Sequence, residues 1–370
     1  MWSTGRTGGT NAIFNVADRL SKLGHEIIII SLGAKEHTWF KFEHNIQFYY
    51  PEVDLFPHFR IKFRNNHFSA NEIFNWFLSK VNLNLSFDRH KILSNALDTY
   101  ASYFDIIIAT YFETAFSVNR MDSKKCIKFY YIQHFESVFF TDEYNKKRVQ
   151  ETYFLPFKWI TNSSWVNARL IELTGKQGNV VIPGVDTSVY YPRRVNKDKD
   201  NKVIVSLGKS ASVKGLEYLF KALNKLATQV RGIKLVLYGI EPDLKKDSPV
   251  LTEYIVSPSN DQLADLYSMA DVVVTPSLYE SSPLPPLEAM ACGAPVVTTI
   301  FGTEDYCIDG ENSIVVPPGH PNSLTNAIYR ILTDSELANK LKNNGLRKSK
   351  ELSWDKTAEY FEKFLRKNVS

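Results

Sequence analysis

Two carboxylates with seven residues between them, Glu280 and Glu288 in the stretch YESSPLPPLEAMACGAPVVTT, are the part of this chain best suited to chemistry. They flank a proline-rich turn that runs into a short helix. Pro286 suits the first helical position, where its missing N–H costs nothing, and Gly293 with Pro295 stops the helix about two turns on. Glu280 is therefore expected to face outward on a loop after the apolar strand 272–275. Glu288 is expected in the first turn of the helix, beside backbone N–H groups that attract anions. Carboxylates accept hydrogen bonds from hydroxyls and a helix end receives phosphate, so the pair suits a polyhydroxylated, phosphorylated ligand.

Three further groups fit such a ligand. Lys209 and Lys214 frame the loop LGKSASVKG between a strand and a helix. Two cations there would neutralise a diphosphate and stabilise it as a leaving group, an electrostatic role that needs no metal. In GRTGGTNA, Gly8 and Gly9 allow close backbone approach and the helix behind them offers N–H donors. Arg6 reads as a solvated side chain. In YYIQHFE, His134 follows a buried strand, and open α/β sheets gather ligands at the carboxyl ends of their strands. Whether Gln133 or His134 faces the ligand stays open, and Glu136 is a weaker candidate on the same loop.

The elements that must position these residues alternate between strand and helix, which implies parallel sheets covered by helices. Ile13, Val16, Ala17, Leu20 and Leu23 share a helical face that Gly24 caps. Strands are read at 27–30, 106–109, 129–132, 180–182, 203–207, 235–237, 272–275 and 296–299. Ser259 with Gln262 forms a capping box opening a helix to Ser268. Trp354, Ala358, Phe361 and Leu365 give the last helix its apolar face. Two helices, at about 70–82 and 88–101, fill most of the less regular stretch 55–100. Only Met1 to Thr4 precede the glycine loop, so the first strand of the N-terminal sheet is expected to be missing.

The Glu280–Thr299 segment resembles the signature of retaining glycosyltransferases of family 4, a stretch like EGFGLPxLEAMACGxPVV. The glutamate spacing is kept and EAMACG is matched residue for residue. Ser281 and Ser282 stand for the usual Gly-Phe, and Pro283 for the second glycine, which removes one backbone donor. The resemblance implies a GT-B arrangement, two Rossmann-like domains facing across a cleft. Residues 1–188 would bind the acceptor, 189–350 the nucleotide sugar, and the helix in 351–370 would cross back to the first domain. It implies that Glu280 binds donor-sugar hydroxyls, Glu288 the ribose, and Lys209 and Lys214 the diphosphate. Gly8, Gly9, Ser282, Pro283 and Leu284 would line the donor, and His134 would contact its sugar. No side chain acts as a nucleophile; the leaving phosphate would assist attack on the same face. VIPGVDTSVYYP matches the family's interdomain segment with one residue deleted, so Gly184 and Asp186 are read as structural. So are Asp309 and Glu311, with Gly302 and Thr303 near the donor.

Composition agrees. A chain of 370 residues is long enough for two domains, and 44% hydrophobic with 23% charged residues is that of a soluble globular protein. No apolar run approaches a membrane span and no signal peptide is evident. Cys126, Cys292 and Cys307 are scattered and odd in number, which argues against a disulfide framework or zinc site and fits a reducing cytoplasm. A net charge of +4 does not argue for nucleic acid. No D-x-D pair sits in a metal-binding context, so no cofactor or divalent ion is expected. The expected partners are a nucleotide-sugar donor and a glycan or lipid-linked acceptor. The aromatic and basic stretch 55–68 could add peripheral contact with a membrane, though a buried loop fits it better. Two rival readings stay open: a non-catalytic nucleotide-sugar-binding subunit, and a nucleotide-sugar epimerase of the same fold.

Overall fold

The computed structural model describes residues 1, 4–5, 7–32, 39–51, 60–63, 66–69, 89–101, 103–121, 126–198 and 200–369. These form two compact units, one from residues 1–131 with 142–158, the other from 132–141 with 159–368.

The first unit opens with α1 (Gly8–Lys22), started by Thr7, whose hydroxyl accepts from the Thr10 N–H at 3.1 Å. Strand β1 (Ile27–Ile30) pairs in parallel with β2 (Ile46–Tyr49). Phe14 is fully buried, with the rings of Trp39, Phe40, Phe42 and Phe48 at centroid distances of 5.1–5.8 Å. The buried side of α1 is wider than expected and differs at its edges. Thr10, Asn15 and Asp18 are buried with it, while Leu23 is exposed. Asp18 is tolerated there because its Oδ1 accepts from the Glu43 and His44 N–H groups at 3.0 and 2.9 Å. An antiparallel hairpin, β3 (Arg60–Phe63) with β4 (Asn66–Ser69), follows. The expected helix at 70–82 lies outside the described residues, as do Arg6 and residues 52–59. Then come α2 (Arg89–Tyr100), β5 (Ile106–Ala109), α3 (Phe112–Arg120), β6 (Ile127–Ile132) and α4 (Glu143–Thr152). Strands β5 and β6 are parallel. Met1 donates through its amino group to the Ile30 carbonyl and accepts from the Leu32 N–H at 3.3 Å.

The second unit begins with β7 (Lys158–Thr161), α5 (Ser164–Thr174) and β8 (Asn179–Val180). A six-stranded parallel sheet follows: β9 (Lys202–Gly208), α6 (Leu216–Leu226), β10 (Ile233–Gly239), β11 (Leu251–Val256), α7 (Asn260–Met269), β12 (Val272–Thr275), α8 (Leu284–Ala291), β13 (Val296–Thr299) and β14 (Ile314–Val316). Helices α9 (Pro321–Thr333), α10 (Ser335–Glu351) and α11 (Trp354–Val369) end the chain. The period-2 alternation of the strands divides the core between two faces. Val203, Val205, Val236, Val273 and Val296 pack with Leu263, Leu266, Leu287 and Met290 on one side. Ile204, Leu235, Leu237, Val274 and Val297 pack with Leu219, Leu223, Leu324 and Ile328 on the other. Helix α11 buries Trp354, Ala358, Phe361 and Leu365 as its spacing required. Thr357 donates to the Ile182 carbonyl at 2.9 Å, and a Cβ on Gly184 would lie 2.3 Å from the Ser353 carbonyl carbon.

Candidate functional site

The strands of the large sheet run in the order β11-β10-β9-β12-β13-β14, so chain progression reverses between β9 and β12. Open α/β sheets bind ligands in the crevice at the carboxyl ends of such a strand pair. The loops leaving those two ends carry Lys209 with Lys214, and Glu280. Gly215 joins them: its φ is +66°, and a Cβ there would lie 2.1 Å from the Pro276 carbonyl oxygen. The Leu278 N–H donates to the Val213 carbonyl at 2.8 Å and completes the contact.

This approach sets the charges. Lys214, on the short 3-10 turn Ser212–Lys214, puts its Nζ 2.6 Å from Glu280 Oε1. The Ser277 hydroxyl donates to the same oxygen at 2.8 Å. Glu280 is consequently buried rather than facing outward. Its charge is balanced by a cation and a hydroxyl, which is the condition for burying a carboxylate. Behind it, Gly302 (φ +72°) packs so closely that a Cβ would lie 2.5 Å from the Ser281 carbonyl carbon.

Glu288 also departs from expectation. Helix α8 starts at Leu284, with Pro283 as its N-cap, so Glu288 is the fifth helical residue, past the first turn. Pro285 and Pro286 both fit inside that first turn because its N–H groups have no intrahelical partner, so neither proline marks the start. Pro283, Pro285 and Pro286 carry no N–H, so of the first four positions of this helix end only Leu284 has a backbone donor, and Glu288 points into the buried layer. There Tyr267 donates its hydroxyl to Glu288 Oε2 at 3.5 Å and lies 2.8 Å from the Tyr238 hydroxyl. The Tyr306 hydroxyl bonds the Pro283 carbonyl and fixes the turn from below. Ser282 and Leu284 are half-buried on that turn.

His134 reaches the same loop. Its ring lies between Phe139 (centroids 4.9 Å apart, edge-on) and Tyr279 (6.4 Å, stacked). Its Nε2 is 3.3 Å from Ser281 Oγ. Burial, and secondarily the charge of Lys214, lowers its pKa to about 4, so the ring is neutral at physiological pH. Gln133 and Glu136 are buried nearby. Lys209 opens the same loop. It is exposed and stands near Glu241, whose carboxyl is held below its usual range first by Ser210 and lastly by Lys209. Gly8 and Gly9 open α1 in the other unit. Asp309 accepts from the Val315 N–H at 2.9 Å and Asp186 from the Ser188 N–H at 3.0 Å, both local turn contacts. Burial pushes the Cys292 and Cys307 thiols up to about 12, which leaves neither as a thiolate nucleophile. Asp18, Glu43 and His44 offer ligand atoms close together in the first unit, but the Asp18 carboxylate is already engaged by backbone N–H groups.

Ser277 and Tyr267, which hold the two glutamates, were not singled out in the sequence. Ser277 had a signal, since a hydroxyl three residues before a loop carboxylate lies within reach of it. Tyr267 had none, because its contact depends on how α7 packs against α8.

Residues 191–348 match the family model for glycosyl transferases group 1. The MMP alpha-(1->4)-mannosyltransferase of Mycolicibacterium hassiacum is 32% identical over 197 residues, 50% of this chain and 46% of that protein. A D-inositol 3-phosphate glycosyltransferase of Acidothermus cellulolyticus is 29% identical over 229 residues, 54% and 51% respectively. The chain therefore spans about half the length of the curated relatives it matches. Among solved structures, a sucrose-phosphate synthase from Thermosynechococcus elongatus aligns with a TM-score of 0.76 at 18% identity, covering 99% of this chain and 95% of that one. HepE of Anabaena, in complex with UDP-glucose, aligns with 0.75 at 15% identity, covering 99% and 98%. The fold is that of the GT-B glycosyltransferases. Within that fold, Lys209, Lys214, Glu280 and Glu288 all fall in the segment matched by the group 1 family. Among the described residues, no helix is long and apolar enough to cross a membrane.

Proposed function

We propose that this protein is a retaining glycosyltransferase that moves a sugar from a nucleotide donor to an acceptor hydroxyl without a metal ion. The observation that carries this reading is the half-buried Lys214–Glu280 ion pair at the reversal point of the sheet, inside the group 1 segment. The names of the relatives agree with it, as does the UDP-glucose held by HepE. Glu280 would accept hydrogen bonds from donor-sugar hydroxyls and Glu288 from the ribose. Lys214, with Lys209 and the Leu284 N–H, would balance the diphosphate. In the transfer step the bond between the sugar C1 and the diphosphate oxygen breaks. The acceptor oxygen bonds C1 on the same face, and its proton passes to the departing phosphate. We assign the acceptor to a glycan under assembly. The test is turnover of labelled nucleotide sugars with and without acceptor, in excess chelator, with the anomeric configuration of the product determined. Acceptor-dependent transfer with retained configuration is expected. Activity that vanishes in chelator and returns with magnesium or manganese would overturn the metal-independent step, and an inverted product the retaining one.

A further inference from the structure

The first unit holds a cavity of about 360 Å³ that shares no residue with the Lys214–Glu280 site. One wall is a face of α4, where Tyr144, Lys147, Arg148 and Glu151 recur at helical spacing. Phe116 and Arg120, one turn apart on α3, and His90 at the start of α2 complete it. The acid beside this cavity is already engaged: Glu113 Oε2 lies 2.7 Å from His90 Nε2 and 3.1 Å from Arg148 Nη2. That pairing anchors the guanidinium, whose central carbon also sits 5.5 Å from the Phe116 ring centre and 5.8 Å from that of Tyr144. Only Nη2 of Arg148 is used in these contacts; its other nitrogens make no hydrogen bond among the described residues. Lys147 has no ion-pair partner among them either, while its neighbour Lys146 is paired with Glu143 at 2.7 Å. Arg120, Lys147 and Arg148 against Glu113 and Glu151 leave positive charge in excess before any proton on His90 is counted.

We propose that this cavity binds an acidic monosaccharide unit, a sugar ring bearing a carboxylate or a phosphate. The surplus cations call for an anion, and a guanidinium held in place by Glu113 and the rings is suited to carboxylate or phosphate oxygens. Tyr144 is 71% exposed and, with Phe116, offers apolar ring surface against which the C–H side of a sugar can lie. Glu151, when ionised, only accepts hydrogen bonds, so it suits a sugar hydroxyl and disfavours a second anion. The volume falls at the lower end of the range for small-molecule sites, about 300–1,000 Å³, which gives room for a ring as well as the anionic group. Binding here is a property of the chain by itself and does not depend on the proposed transfer reaction.

The experiment is titration calorimetry on the full chain at pH 7 and low salt, with methyl glucuronide, glucose 6-phosphate, methyl glucoside and inorganic phosphate as probes. At least one acidic sugar should bind saturably, and the tighter of the two identifies the anionic group. The neutral glucoside should bind at least about tenfold more weakly, the loss of one charge-assisted hydrogen bond. Inorganic phosphate should bind more weakly than glucose 6-phosphate. Arg120 and Lys147 are exposed, so Arg120→Glu and Lys147→Glu should keep the fold, checked by an unshifted melting temperature. Each should lower affinity for the acidic sugar by about tenfold or more, and Tyr144→Ala by about two- to tenfold. Glu280→Gln should leave this affinity unchanged, which separates the cavity from the proposed donor site. No saturable binding of either acidic sugar, equal affinity for the neutral glucoside, or phosphate bound as tightly as its sugar ester would overturn the proposal. So would unaltered affinity in both charge-reversal variants, or loss of binding in Glu280→Gln, whether or not the chain transfers sugar.

Discussion

Removing either member of the Lys214–Glu280 pair should have unequal effects on stability. The side chain of Glu280 is 11% exposed and that of Lys214 is 24% exposed, with 2.6 Å between the charged atoms. In Lys214→Met the carboxylate stays buried with Ser277 as its remaining partner. Breaking a buried pair costs roughly 3–5 kcal/mol, and partial exposure of the lysine reduces this to about 2–3 kcal/mol here. In Glu280→Gln the amide still accepts from Ser277, and the lysine amine can turn toward water, so about 1 kcal/mol or less is expected. The double variant leaves no buried charge and should lie close to Glu280→Gln alone, giving a coupling energy of roughly 2–3 kcal/mol. Urea unfolding of the four proteins at pH 7 provides the cycle. Equal costs for the two single variants, or a coupling below about 0.3 kcal/mol, would refute the claim that Lys214 makes burial of Glu280 possible.

Other outcomes follow from the same geometry. Glu288→Gln should weaken nucleoside diphosphate binding by about 1.5–3 kcal/mol in calorimetry, and unchanged affinity would remove Glu288 from the donor site. His134 binds its proton less readily folded than unfolded, so stability should be intact above pH 6.5 and decline as pH falls toward about 4. The decline attributable to this residue, on the order of 1–3 kcal/mol, should be absent from His134→Gln in pH-dependent urea midpoints. Gly302→Ala forces a Cβ against the Ser281 backbone at a positive φ, and should lower stability by more than about 1 kcal/mol in the same assay.

Much of the second unit could be read in the chain because its strands are continuous apolar runs buried on both faces. Val272–Thr275 and Val296–Thr299 appear at the expected residues. The Ser259–Gln262 capping box is present with both reciprocal bonds. Strand β11 was not legible: it lies at the sheet edge, and its sequence LTEYIV mixes exposed polar and apolar residues. Strand β14 spans three residues, too few for a period to show. At the site, the spacing of the glutamates and the loop lysines located the region, but side-chain direction could not be inferred from it. Glu280 turned inward because Gly215 allows the two loops to touch, a contact between residues 61 positions apart (215 against 276). Glu288 fell past the first turn because two consecutive prolines both fit within it.

The central claim, sugar transfer at the Glu280–Lys214 site, is tested most directly by nucleoside diphosphate release from a panel of nucleotide sugars, comparing wild type with Glu280→Gln. Acceptor-stimulated release from at least one donor is expected of the wild type, and at least about a tenfold lower rate of the variant, whose fold should remain intact. A wild type that neither binds nor turns over any nucleotide sugar, or a Glu280→Gln protein as active as the wild type, would contradict it.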